Sequence, residues 1–331
     1  TNANMTVQRL PLPQGSRLPT TSTNSSSISS SSTSNNPLSL LSLCLSRSWH
    51  AAGKRATTHP HEAALTPHTS SPSKTTSGVT PLLLSIRHNA PPSTILSILA
   101  AHPPQILSIT PTNATPLHEA ALQIDSLPLI VFQRLLQVDA SFKSRAATTQ
   151  DVDGCTPLHI LIRSVFYSTP LHTPHHWNVL REFIISCPQA CSIADWREYE
   201  ETPLILTLKA GSFCPKWSLT LENLLHRTVQ LMLQHHPRCL EHTNGSNIDY
   251  TPLHSAIFHG RCAETVALVL RGLPVASVER RTKAGGETAL TFAAMRNENE
   301  RVFRLLLGEE TSCDVVRVRD MLGMCPGHWL W

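Results

Sequence analysis

Cys187 and Cys191 are spaced CxxxC, and His172-Thr173-Pro174-His175-His176 gathers three imidazoles within five residues. Thiolate and imidazole are the ligands that hold zinc, and a structural zinc set needs four of them. No second cysteine pair completes the first, and the histidine cluster reads as part of a loop. With 18 His and 9 Cys in the chain, a Cys–His nucleophile is numerically possible, yet no pattern singles out one cysteine. There is no phosphate-cradling glycine loop, no dinucleotide fingerprint and no HExxH. The expectation is a non-enzymatic chain with no metal and no cofactor. Nine cysteines scattered over 331 residues make no disulfide framework. They read as thiols buried as small hydrophobes in a reducing, cytoplasmic setting.

What does recur is Thr115-Pro116-Leu117-His118, followed by Glu119-Ala120-Ala121-Leu122. Threonine suits a helix N-cap, proline suits the first helical position, and Glu119 lies on the favourable side of the helix dipole. Thr156-Pro157-Leu158-His159 and Thr251-Pro252-Leu253-His254 are further copies. Thr80-Pro81-Leu82, Thr202-Pro203-Leu204 and Thr288-Ala289-Leu290 follow the same grammar, the threonines falling 35, 41, 46, 49 and 37 residues apart.

These starts alternate with a second kind of helix of stronger apolar periodicity, for example Ile95, Leu96, Ile98 and Leu99, or Leu221, Leu224, Leu225, Val229 and Met232. Apolar residues three and four apart mark a helix buried along one side. His59-Pro60, His102-Pro103, Cys187-Pro188 and His236-Pro237 read as stops, since proline cannot continue a helix. Gly272 and Gly308 end two more. Insertions at Ser168–His176 and Gly211–Thr220 are expected to leave the stack as loops.

Charge divides the chain. Before Glu62 there is no acidic residue, against five Lys or Arg; from Glu62 onward 22 cations face 23 anions. The net charge of +4 belongs to the first segment, so the folded part is not expected to bind nucleic acid. Residues 1–36, rich in Ser, Thr and Asn and without an aromatic, are expected to be a disordered tail. A Ser-rich, Arg-containing lead without acids also fits an organelle transit peptide, and both readings stay open. Residues 37–79 are expected to form a degenerate N-terminal cap or repeat, with Leu38–Leu45 starting the packed region. No apolar run is long enough to span a membrane.

The pattern resembles the ankyrin repeat, whose signature is Thr-Pro-Leu-His-x-Ala in a unit of about 33 residues, a β-turn and two helices. The resemblance covers roughly residues 59–331. Residues 115–122 and 251–256 match fully; Leu161 replaces the alanine after His159, Ile205 and Leu83 replace the histidine, and Thr288 is followed by Ala289 and Thr291. Asp320–His328 follows the frame of Asp151–His159. The resemblance implies an all-α solenoid of stacked helix–turn–helix units joined by β-turn loops. It would occupy residues 80–331, with about six repeats and a truncated seventh. Its concave face would be lined by first helices and turn tips. His118, His159 and His254 are then expected to brace adjacent repeats.

The resemblance also implies a protein-binding scaffold or adaptor, in which the two positions after the alanine pair face the partner. Carried over, these are Arg87 and His88, Leu122 and Gln123, Arg163 and Ser164, Lys209 and Ala210, Phe258 and His259, Met295 and Arg296. Four pairs contain Lys or Arg and none contains Asp or Glu. The expected partner is a protein with an acidic, extended segment, anchored at Phe258 and Met295, and not a small molecule. The alternative is a regulatory or targeting protein whose basic tail contacts nucleic acid or directs organelle import.

Overall fold

A threonine followed by proline starts a helix for two separable reasons. The hydroxyl accepts an N–H that the first turn leaves without a partner, and proline has no N–H to leave. The computed structural model describes residues 39–64, 79–168, 173–197, 200–210, 219–245, 249–273, 279–296, 300–308 and 316–330. Within them the helices come in pairs: α1 (Leu40–Leu45) with α2 (Trp49–Thr58), α3 (Pro81–Arg87) with α4 (Pro92–Ala101), and α5 (Pro116–Leu122) with α6 (Leu129–Ser141). A single turn, α7 (Arg145–Thr148), follows. Then come α8 (Pro157–Arg163) with α9 (Pro174–Ser186), α10 (Pro203–Lys209) with α11 (Leu219–His235), α12 (Pro252–Phe258) with α13 (Ala263–Arg271), and α14 (Ala289–Met295) with α15 (Glu300–Leu306). No strand is among the described residues.

The six threonines Thr80, Thr115, Thr156, Thr202, Thr251 and Thr288 each cap a first helix of seven residues. His59, His102, Cys187 and His236 end second helices, and each following proline opens a 3₁₀ turn. The first helices pack in series from α1 and α3 to α14, and the second helices in series from α2 to α15. Between the rows lies one apolar core. The motif leucines Leu82, Leu117, Leu158, Leu204, Leu253 and Leu290 are all buried in it.

The loops repeat more closely than the sequence suggests. In each, one short polar side chain accepts the N–H of the residue just before the N-cap: Thr110 from Ala114, Asp151 from Cys155, Asp195 from Glu201, Asn244 from Tyr250, Thr282 from Glu287 and Asp320 from Met324. The same six residues donate their own N–H to that neighbour's carbonyl at 2.9–3.0 Å. Two positions before the caps of these six loops the backbone is left-handed, at Asn113, Gly154, Glu200, Asp249, Gly286 and Gly323. Loops are also joined to each other, Val152 N–H to Thr112 O and Trp196 N–H to Asp153 O.

Residues 320–328 repeat the bonding of 151–159. Asp320 caps as Asp151 does, Gly154 and Gly323 share φ +75°, and Cys325 replaces threonine as cap, its N–H donating to His328 Nδ1 at 3.0 Å. The expected tail 1–36 lies outside the described residues, as do Leu38, residues 65–78 of the expected cap, and residues 169–172 and 211–218 of the two insertions. Helices α1 and α2, from the expected cap, pack on α3 and α4.

Candidate partner-binding face

The repeated cap fixes where each first helix ends. Seven residues after threonine come the positions carried over from the resemblance, so all six pairs stand at equivalent places. Arg87, Leu122, Arg163, Lys209, Phe258 and Met295 are the last helical residues, and His88, Gln123, Ser164, Ala210, His259 and Arg296 take the C-cap. Because the helices touch in series, these positions form one row. Leu122 is 59% exposed, Met295 43% and Phe258 37%.

The electrostatics of the row differ from a strip of like charge. Arg87 is paired with Glu119 of the next first helix. Arg163 donates to Asp195 at 2.8 Å and to Cys155 Sγ at 2.9 Å, and Lys209 donates to Glu201 at 2.7 Å. Arg296 lies over the ring of Phe258, 5.8 Å from its centre. The carboxylates sit deeper than the cations: the Asp195 side chain is fully buried and that of Arg87 is 42% exposed. Reading the row by position alone missed these anions. They stand four residues after Thr115 and seven and one before Thr202, and nothing in the sequence pairs them with the row.

Around Phe258 the row becomes aromatic. Tyr250, Phe292, His254 and His259 all lie within ring-contact distance of one another or of Phe258. Burial lowers the pKa of His259 to about 4, with Lys209, Arg261 and Arg296 adding repulsion. His88 is lowered by burial and then by Arg47 and Arg87. At Ser164 the chain does not stop: α8 runs on into a π-helical turn, Ser164–Ser168. This places Tyr167 beside α10, its hydroxyl donating to Leu206 O at 3.0 Å. Nothing in the sequence marks Tyr167, since a π turn has no composition of its own.

The motif histidines act on structure. The backbone N–H of Thr115 donates to His118 Nδ1 at 2.9 Å, so the ring proton sits on Nε2, which donates to Cys155 O of the next loop at 3.0 Å. His159 repeats this with Thr156 and Glu201 O, at 3.1 and 2.9 Å. His254 accepts from Thr251, but its buried Nε2 faces the backbone of Arg280 and Glu287 without a hydrogen bond. Thr173-Pro174-His175-His176, expected as a loop cluster, caps the second helix α9 with the same box. His175 donates to Ile124 O and His176 Nε2 lies 2.7 Å from Asp125; His172 lies outside the described residues. Cys187 and Cys191 are buried thiols, Cys187 pushed up to about 11 by desolvation. Among the described residues no group of three or more His, Cys, Asp or Glu is placed to hold a metal.

The chain is similar to the ankyrin repeat domain of Bcl-3, a member of the IkappaB protein family, over 75% of this chain and 92% of that one. The TM-score is 0.51 and the identity 18%. The fold is that of an ankyrin repeat domain. A chain from the complex of a predatory endopeptidase from Bdellovibrio bacteriovorus with an immunity protein is similar over 69% of this chain and 97% of its own, with TM-score 0.45 and 13% identity. No protein-family model and no curated protein matches the sequence. Among the described residues no helix of this ankyrin stack is long and apolar enough to cross a membrane.

Proposed function

We propose that the chain is a non-enzymatic scaffold or adaptor that holds a protein partner along the ends of its first helices. The observation that supports this reading is the row itself: six equivalent positions on successive repeats, with Leu122, Phe258 and Met295 exposed on a buried frame. Large apolar side chains ringed by polar ones are the usual anchors of an interface. The partner segment is extended, so that it spans repeats, and acidic. Its carboxylates meet Arg296 and the outer faces of Arg87, Arg163 and Lys209, whose own carboxylates lie behind them. Competition with Glu119, Asp195 and Glu201 limits what charge adds to affinity, so charge acts mainly on association rate and register. The tail-based alternative falls on residues outside the described ones, and nothing in the repeats favours it.

A photo-crosslinker placed at Leu122 or Met295 of the full chain, in cells that express it, should capture the same partner. Phe258→Ala should reduce that capture at least several-fold by speeding dissociation. Capture only from a crosslinker on the opposite row, for example at Ser97 of α4, would refute the assignment of the face.

A further inference from the structure

The second helices carry a groove that the row of first-helix ends does not use. Helix α11 has 17 residues, α13 has 9 and α15 has 7. At 1.5 Å per residue they are about 25, 13 and 10 Å long. Helix α13 turns Thr265, Val266 and Val269 into the core, leaving Ala263 and Ala267, one turn apart, toward the outside. Here lies a groove of about 500 Å³ whose apolar lining is Ala263, Ala267, Leu268 and Leu305, with His226 and Gln230 of α11 on its other side. His226 Nδ1 lies 3.0 Å from the Thr265 hydroxyl and ties α11 to α13 beneath it.

The rim decides the chemistry. Arg271 of α13 and Arg301 and Arg304 of α15 border the groove, against one bordering carboxylate, Glu264. Arg301 donates to Glu264 at 2.8 Å and Arg304 to Glu300 at 2.6 Å, all four side chains more than half exposed. Such pairs are worth little and exchange partners readily. A groove of equal volume between α2 and α4, lined among others by Ala56, Leu96 and Ala100, has no charged residue. A groove of this size thus occurs at two places among the described residues, and of these two the one at the last repeats carries the cationic rim.

We propose that this outer groove docks an acidic amphipathic helix of a protein partner. Its apolar stripe, at i, i+3 and i+4, lies on the alanine base, and its flanking Asp and Glu meet Arg271 and Arg304. A helix fits better than an extended strand. The walls are helices with satisfied backbones, so an extended segment would bury N–H and C=O groups against a surface that offers no backbone partner, whereas a helix satisfies its own. Small residues one turn apart let the partner backbone come close, ridge into groove. This site is separate from the first-helix row and stands or falls without it.

The test uses the full chain and a designed 18-residue peptide with a leucine stripe flanked by glutamates. Its controls are a scrambled peptide of the same composition, a lysine-for-glutamate version, and an oligothymidine of equal charge, all read by fluorescence anisotropy at low salt. The striped acidic peptide should bind at least tenfold more tightly than each control. Ala267→Trp, which fills the groove, and the double change Arg271→Glu with Arg304→Glu should each cost at least tenfold, while Phe258→Ala changes binding less than twofold. Equal binding of the scrambled peptide or the oligonucleotide, or loss on Phe258→Ala, overturns the proposal. If Ala267→Trp does not fold, the arginine pair decides alone, because both side chains are exposed and unchanged binding there is equally fatal.

Discussion

Arg163 and Arg87 stand at the same place in two repeats and answer differently to truncation. Asp195 is fully buried and accepts from both Arg163 and the Glu201 N–H. Removing Arg163 leaves that carboxylate without its cation, and breaking a buried pair from one side costs several kcal/mol. Arg87 is 42% exposed, where a pair contributes about 0–1 kcal/mol. Denaturant unfolding should therefore show Arg163→Ala losing about 3 kcal/mol and Arg87→Ala less than 1; equal losses would contradict the burial argument. Charge reversal at Arg163 is for the same reason a poor probe of binding, since it sets a glutamate against Asp195.

The motif histidines link stability to pH. Burial lowers His118 below its ordinary value and takes His159 and His254 to about 4. The unfolded chain takes up these protons near pH 6.5, the folded chain only at lower pH, near 4 for His159 and His254. Between those values the unfolded state binds more protons, so stability is fully present above about pH 7 and is lost as pH falls from 6.5 toward 4. His88, His236 and His259 shift the same way and share in the slope. Thr291 shows that threonine can fill the histidine position, its hydroxyl 3.1 Å from that of Thr288. His159→Thr should lower stability at pH 7 through loss of the bond to Glu201 O, and flatten the fall below pH 6.5. An unchanged pH slope in thermal melts would show that His159 titrates freely in the folded state.

At the scale of the element, the loop decides more than the helix. Each loop needs one left-handed residue two positions before its cap, and glycine supplies that at no steric cost. Gly154 and Gly323 share the same φ, but a Cβ on Gly154 would overlap Trp196, whereas one on Gly323 meets nothing within 4 Å. Gly323→Ala should therefore cost about 1–2 kcal/mol, the left-handed penalty alone. Gly154→Ala should cost distinctly more and move the Trp196 fluorescence. The reverse change is informative at Glu200, a residue with no preference for its φ of +45°. Glu200→Gly should leave stability unchanged or raise it by up to about 1 kcal/mol, the relief of strain being partly offset by backbone entropy. A clear loss there would mean that the Glu200 side chain contributes something the backbone argument omits.

At the scale of the whole molecule, the main contacts among the described residues join each unit to its neighbours in the two rows, so stability is close to a sum of units and interfaces. Leu158 is fully buried, and Leu158→Ala should cost about 2–5 kcal/mol. The loss should appear first in α8, α9 and the adjoining α5 and α10. Hydrogen exchange resolved by segment would show α3 and α14 keeping their protection longest; uniform loss from residue 80 to 308 would contradict a linear stack. His118 and His159 each bridge to the next loop, while His254 does not. The seam between α12 and α14 is accordingly expected to open before that between α5 and α8.

The fold class followed from the family resemblance, while the sequence by itself determined the six helix starts, the proline stops and the buried leucines. Each of these is a local event: an N-cap, a missing N–H, an apolar side chain every third or fourth residue. The row of first-helix ends came from the family resemblance, carried over position by position; the seven-residue first helices put those positions at equivalent places. Only the tertiary structure decided the charge of that row. Glu119 and Asp195 meet their cations 32 residues away, across repeats, and no periodicity within a repeat reports on its neighbour. The same holds for Tyr167 on its π turn and for the outer groove. That groove and its cationic rim are assembled from α11, α13 and α15 together, a fact about neighbours and not about any one of them.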